Sequence, residues 1–526
     1  MTEMHATTIA ASQDDLIARV MALAPLPSLT HEAHRSADAL IRDLLSQLRS
    51  DSAFLSFDSL FKLVSHLATI GDPSAAESIA RMSADHFTGE DRPMCAVSML
   101  NLAGRSCYDQ CAFDDAEHCF SRGLTLVPKP DVRLQTPVLL INLAKLYTEM
   151  GRFSDALKKY DEAKRIVRST LSGVFADLDF FLPHEVVGLI VNNTGWVHLR
   201  TARGAGNDPG LLRQAGKSFD AALGLPLHPR TRLIALGNRA ETYIRLNDTR
   251  KAERILGPLE TECLANGHRL LPLIHGRWAQ VCAARGDILS AVEWSRRALR
   301  SSLLAGNPRQ ELRIVEVIVD ILRTLLSGVS DPLTALGSTG EPVVAHVLEL
   351  LQSKDTYTGG NHSARVASLA RKVACVGVDD TPTRQRWIRR VELAGLLHDM
   401  GKLCIPWSLL NKVSPLSSRD WQLLKAHTTM GKTMLESIGL GQLALVAGGH
   451  HERPDGHGYP TGSPSRRPEP AIVAAADAFE AMTSPSRVYV RPKTPSEALW
   501  EIRKASATQF RPEVVKAMVA VLQRQT

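Results

Sequence analysis

Apolar and small residues recur along residues 50 to 325 at intervals of three and four, the spacing of one helix face. In NLAKLYTEMGRFSDALKKYDEAKRI (142–166), Ala144, Tyr147, Ala156, Tyr160 and Ala163 fall at offsets 0, 3, 12, 16 and 19. Gly151 lies between the two halves, where a turn belongs. The predicted unit is a helical hairpin whose small residues let two helices approach closely. The register returns around Ala116 (Gly104, Cys107, Phe120, Gly123), Ala252 (Ala240, Tyr243) and Ala291 (Ala279, Cys282, Ala298). Looser copies surround Ala76 and Ala215, the latter with Phe219 and Ala222. Anchors at 76, 116, 156, 215, 252 and 291 are 40, 40, 59, 37 and 39 residues apart. The long interval holds TARGAGNDPGLL (201–212), which reads as a lengthened loop.

A hairpin cannot bury its apolar face alone, so stacking into a superhelix with a concave surface is expected. Such a surface suits a peptide or protein partner. The pattern resembles the tetratricopeptide repeat in a version longer than about 34 residues; a generic stack of helical hairpins is the alternative. Residues 1–49 read as a helical cap and 50–325 as the repeat region. SGVSDPLTALGSTGEP (327–342), rich in Gly, Ser, Pro and Thr, marks a linker over 326–342. Helical periodicity resumes at Val343, and 343–526 is read as a second domain. The fold class is all-α: a helical-hairpin superhelix followed by a helical bundle.

Composition narrows the classes. Hydrophobic content of 44% with 22% charged residues is that of a soluble globular chain, and 5% aromatics leans toward helices. The net charge of +7 is spread along 526 residues without a nucleic-acid-binding signature, so no nucleic-acid polymer is expected as partner. No window approaches the ~18 apolar residues of a membrane span, and the first twenty residues lack a secretory pattern. A cytoplasmic location is expected. Eight scattered cysteines without a C-x-x-C pair fit reduced thiols.

The chemistry concentrates after the linker. His362 opens HSARVASLARKVA, a helical pattern. RWIRRVELAGLLHDMGK (386–402) reads as a helix ending in His398-Asp399. KAHTTMGKTML carries His427, HHERPDGHGYP (450–460) supplies His450 and His451, and AIVAAADAFEAMTS places Asp477 in an otherwise small, apolar helix. An unpaired carboxylate in such surroundings needs a cation or a donor. Imidazole and carboxylate without thiolate suit iron, manganese, nickel or zinc rather than calcium. Seven ligands exceed one tetrahedral zinc and fit two metals about 3.5 to 4 Å apart, with one aspartate bridging. Such a pair activates water, and the usual target is phosphorus in a phosphodiester.

HDMGK, HHERPDGHGYP and ADAFEAMTS resemble the HD-GYP family of bacterial cyclic di-GMP phosphodiesterases, over roughly residues 350 to 515. The motif HHExxDGxGYP is intact, and GKLCIPWSLLNK resembles the family's segment after the HD pair. The resemblance implies an HD-superfamily helical bundle with two, sometimes three, metal ions, iron or manganese being expected. It implies the ligand set His362, His398, Asp399, His427, His450, His451 and Asp477, with Asp399 as bridge. Lys402 resembles the lysine on the scissile phosphate; four residues after His398, it lies on the same side if the helix continues. Arg487 resembles an arginine on the other phosphate. Asp455, Gly456, Gly458, Tyr459 and Pro460 would shape the loop over the substrate.

Three positions depart from the family. Five steps separate Tyr357 from His362, where four are common. Thr358 stands where three-metal members carry glutamate, which favours two metals. Arg511 in QFRP replaces an aspartate. None removes a ligand. The resulting expectation is hydrolysis of cyclic di-GMP to pGpG and onward to GMP, with a protein partner at the repeats. A GGDEF-domain protein is one candidate partner, and a homodimer is admitted. Rival readings are hydrolysis of cyclic GMP-AMP and a non-catalytic scaffold that senses nucleotide and binds GGDEF proteins.

Overall fold

Small residues at the hairpin anchors do in three dimensions what their spacing suggests. In the computed structural model, Ala76, Ala116, Ala156, Ala215, Ala252 and Ala291 are each fully buried. The structure describes residues 15–23, 31–50, 55–70, 72–128, 135–171, 183–266, 270–304, 308–326, 341–356, 361–377, 379–412, 415–463, 467–484 and 491–523. The described residues are helical throughout apart from turns and one isolated bridge between Ser506 and Phe510. None of their helices is long and apolar enough to cross a membrane. The composition-based linker falls largely on 327–340, outside the described residues, as do Tyr357, Thr358 and Arg487.

Contacts divide the chain into two compact units, residues 1–287 with 301–310 and residues 288–300 with 311–526. In the first unit the chain runs as helical hairpins: Phe57–Ile70 with Pro73–Gly89, Pro93–Asp109 with Phe113–Leu126, Gln135–Glu149 with Phe153–Leu171, Pro183–Gly204 with Pro209–Leu223, and Pro229–Arg245 with Thr249–Ala265. The hairpin turn recurs in detail. Five residues before the anchors at 116, 156, 252 and 291 the backbone is left-handed, at Cys111 (φ 60), Gly151 (φ 75), Asn247 (φ 61) and Gly286 (φ 76). The next amide reaches back across the turn: Ala112 to Cys107 O, Arg152 to Tyr147 O, Asp248 to Tyr243 O and Asp287 to Cys282 O, at 2.8 to 3.0 Å. This closure satisfies carbonyls that a helix end leaves open. Of these four, Gly151 was read as a turn from the sequence; glycine and asparagine tolerate the left-handed conformation readily, and Cys111 is held in it by the closure. Glu241 is 1% exposed in this unit, held at 2.8 Å by Arg245 and paired with the equally buried Arg277.

The second unit takes in Ile288–Arg300 and the helix from Glu311 onward, which the composition of the linker had grouped with the repeats. Ion pairs within this unit tie both segments to it: Arg296 to Glu349 at 3.6 Å, and the buried Glu311 to Lys354 at 2.9 Å. Its bundle packs His362–Ala374 against Pro382–Leu397, Pro468–Thr483 and Pro512–Leu522; His427–Ser437 lies on Gly441–Gly449. Prolines at the first turns of the helices starting at 382, 468, 495 and 512 cost no backbone donor. The helix after Thr381 stops at Leu397, and Met400–Cys404 is a 3-10 turn. The helix read as ending in His398-Asp399 ends there to within a residue, and the condition that it continue to Lys402 is not met. The turn is forced by close packing: a Cβ on Gly401 would overlap the carbonyl of His427 and come within 2.5 Å of Gly431 N.

Candidate metal centre

Four histidines are oriented before any ligand is considered. His398, His427 and His450 each donate from Nδ1 to the carbonyl three residues earlier: Gly395 O at 2.9 Å, Leu424 O at 2.7 Å and Ala447 O at 2.9 Å. His362 Nδ1 is bonded instead to the Glu480 carboxylate. In each ring Nε2 is left to point inward. This is how imidazole is set up for a metal, with one nitrogen tied to fix ring and tautomer and the other free to bind.

The inward atoms converge as two triads, His362–His398–Asp399 and His427–His450–His451, each with its donor atoms within 4.8 Å. Asp399, a member of the first, also reaches the second. Its Oδ1 is 3.6 Å from His427 Nε2; its Oδ2 is 3.3 Å from His398 Nε2 and 3.7 Å from His362 Nε2. Asp477 Oδ1 closes one side, 3.3 Å from His362 Nε2 and 4.0 Å from His398 Nε2. All seven residues read as ligands from the sequence thus meet at one place. Four histidines and Asp399 are buried; His451 and Asp477 are half-buried.

The donor set fits divalent cations. His398 Nε2 is buried and makes no hydrogen bond. His427 Nε2 and His450 Nε2 face each other at 3.4 Å, although both Nδ1 atoms already donate elsewhere. Burial pushes His450 well below the usual imidazole range and lowers His427 as well, so neither ring supplies the missing proton at neutral pH. Facing lone pairs beside two carboxylates call for a cation. Against the cost of burial, His398 and Lys402 hold the Asp399 carboxyl far below its usual range, so it is an anion here.

Lys402 Nζ lies 2.8 Å from Asp399 Oδ2 and 3.0 Å from Asp355 Oδ2, which points one ammonium at the Asp399 carboxylate. Tyr459 stacks on His451 with ring centroids 4.6 Å apart, and Lys425 Nζ is 5.2 Å from its ring. Asp455 pairs with Arg453 and accepts from His457 N at 3.0 Å, bracing the loop. Gly458 permits the loop's closest approach, since a Cβ would come within 2.5 Å of both Arg453 N and His451 O.

Sequence reasoning missed Glu480, Arg365 and Asp355. Glu480 is one turn after Asp477 and accepts from Arg365 Nε at 2.8 Å, itself one turn after His362. The i, i+3 spacing from two named ligands was the available signal. Asp355 carries no such signal, because only the tertiary fold brings it to Lys402.

The sequence family described as HD domain matches residues 347–514. The chain is 35% identical over 187 residues to a protein named cyclic di-GMP phosphodiesterase from Thermotoga maritima, covering 34% of this chain and 50% of that protein. It is 32% identical over 189 residues to 3'3'-cGAMP-specific phosphodiesterase 3 of Vibrio cholerae, covering 35% of this chain and 39% of that protein. It is 34% identical over 170 residues to the cyclic di-GMP phosphodiesterase response regulator RpfG of Xanthomonas campestris, covering 31% and 44%. The chain spans half or less of the length of each of these relatives. The matched stretch, residues 347–514, contains all seven of the converging side chains.

Proposed function

We propose that this chain hydrolyses cyclic di-GMP to pGpG, and onward to GMP, at a centre of two divalent cations, iron or manganese. The observation that carries the reading is the position of Asp399 between the His362–His398 pair and the His427–His450–His451 triad, with Lys402 on its Oδ2. His362, His398 and Asp477 would hold one ion, His427, His450 and His451 the other, and Asp399 both. Bound there, the ions supply Lewis-acid activation of water and neutralise charge at phosphorus. The chain's own groups do the rest. Lys402 presents a positive charge beside the bridging carboxylate, where it can stabilise the charge that grows on a phosphoryl group in the transition state. Asp355 keeps that ammonium from turning away. Tyr459, fixed on His451, and the loop braced by Asp455 and Gly458 would wall the substrate. Arg487 is proposed for the second phosphate.

The specificity in the name of the Vibrio cholerae relative supports a second reading, hydrolysis of 3'3'-cyclic GMP-AMP. The hairpin unit is proposed to bind a protein partner in the cytoplasm, a GGDEF-domain protein among the candidates. The experiment is incubation of anaerobically purified protein with each dinucleotide and added iron or manganese, followed by product chromatography. Metal-dependent appearance of pGpG, lost in Asp399→Ala together with metal content, supports the reading. Metal-loaded, folded protein that cleaves neither dinucleotide ends it.

A further inference from the structure

One buried charge network in the second unit lies outside both triads. Glu311 and Lys354 are each 1% exposed. Lys354 Nζ lies 2.9 Å from Glu311 Oε2 and donates to Leu403 O at 2.5 Å. Glu311 Oε2 also accepts from the backbone N–H of Trp407 at 3.0 Å. The pair therefore grips the chain at both 403 and 407, on either side of Cys404–Pro406. Asn411 adds to this grip, donating to Lys354 O at 2.9 Å and accepting from Thr356 N at 3.1 Å. The gripped segment begins with the 3-10 turn that carries Lys402, next in sequence to Leu403. On the other side, Asp355 is next to Lys354 and is the residue that holds Lys402 Nζ.

Burying two charges is costly and is repaid only by close pairing and further hydrogen bonds. Each partner here spends its remaining capacity on backbone groups of one short turn. A pair needed for bulk stability alone has no reason to concentrate on the segment that aims the ammonium at the metal bridge. Glu311 also lies well before residue 347, where the HD domain match starts.

We propose that Glu311, acting through Lys354, is a positioning residue for Lys402 and the turn that bears it. The proposal rests on the phosphodiesterase reading only for its kinetic consequence; its structural consequence is read separately. Removing Glu311 alone strands a buried ammonium, so the informative variant replaces both partners, Glu311→Leu with Lys354→Met, leaving no orphan charge. Three quantities are compared with wild type: melting midpoint and metal content, peptide-level hydrogen exchange over 400–407, and kcat and KM with cyclic di-GMP and cyclic GMP-AMP.

The expected result is a folded, metal-loaded double variant whose exchange over 400–407 is about tenfold faster while other protected segments are unchanged. Its kcat should fall about 10- to 100-fold with KM within about threefold, since small misplacements of a catalytic group cost rates of this order. Wild-type exchange in that segment, or faster exchange with wild-type kcat, overturns the proposal. If wild-type protein cleaves neither dinucleotide, the phosphodiesterase reading fails. The exchange result then decides the clamp alone, faster exchange supporting it and unchanged exchange overturning it. Should the double variant not fold, Glu311→Asp keeps the charge and shortens the reach, and the same comparison applies to it.

Discussion

His427 Nε2 and His450 Nε2 face each other at 3.4 Å while each ring's Nδ1 is committed to a backbone carbonyl. Two lone pairs at that distance are a liability in a buried site without a cation between or beside them. Adding manganese or iron to metal-free protein should therefore raise its melting midpoint in a concentration-dependent way. At a thousandfold excess over Kd the gain is about 4 kcal/mol. His450→Ala should lose most of that increment. Calorimetric scans with and without chelator check it; a midpoint indifferent to metal would mean that these rings pack for another reason.

The metal-free protein must give up a proton to load. Burial disfavours charge on His362, but its contacts with Asp477 and Glu480 outweigh this and lift it to about 9. At neutral pH that imidazole is protonated, and a cation can use its Nε2 only after the proton leaves. Apparent metal affinity should accordingly climb as pH rises toward about 9, by up to tenfold per pH unit for one released proton. Titration calorimetry in two buffers of different ionisation enthalpy reads the proton directly. Glu480→Gln, which removes one of the groups holding the proton, should reduce the release. Heats independent of buffer would contradict the assignment.

Gly401 offers a sharper steric test. A Cβ there would meet the His427 carbonyl and Gly431 N, backbone atoms of the helix that begins with a ligand. Neither neighbour can swing aside as a side chain would. Gly401→Ala should cost about 3 kcal/mol, the upper end of overpacking effects. Because the strain falls between Asp399 and His427, metal content should drop as well. Denaturant unfolding together with metal analysis would measure both, and a variant with wild-type stability and loading would show that the contact relaxes freely.

The sequence made some of this legible and hid the rest for physical reasons. Ala116, Ala156 and Ala252 announce themselves because close helix packing admits nothing larger at those positions. His398-Asp399 and His450-His451 stand out because paired polar residues at the end of an apolar run need a purpose. The end of the helix near His398-Asp399 was legible, but the 3-10 turn that follows was hidden, since the apolar pattern runs on through Met400 and Leu403 and only the close packing of Gly401 on the 427–437 helix marks it. Glu311 was equally hidden. On a strongly amphipathic helix an acid reads as part of the solvated face, and nothing local reveals that Lys354, 43 residues on, will take it out of water. Ligands close in chemistry were readable; partners joined only by tertiary packing were not.

The first unit carries its own pH dependence at Glu241. Burial would raise this carboxyl, but Arg277 and Arg245 outweigh it and hold it at about 2. A group depressed in the folded state contributes stability that is fully present above its unfolded value, near 4.3. That stability is lost as pH falls through the folded value. The difference amounts to roughly 3 kcal/mol at neutral pH. Glu241→Gln also leaves the Arg277 charge buried without its anion, so a cost of about 3 to 5 kcal/mol at pH 7 is expected. The gap between wild type and variant should stay constant from pH 7 to about 5, then narrow steadily toward pH 2 as the wild-type carboxyl takes up its proton. Urea unfolding of both proteins across that range, followed by circular dichroism, measures the gap directly. A gap that does not change with pH would mean that Glu241 supports the hairpins through packing rather than charge.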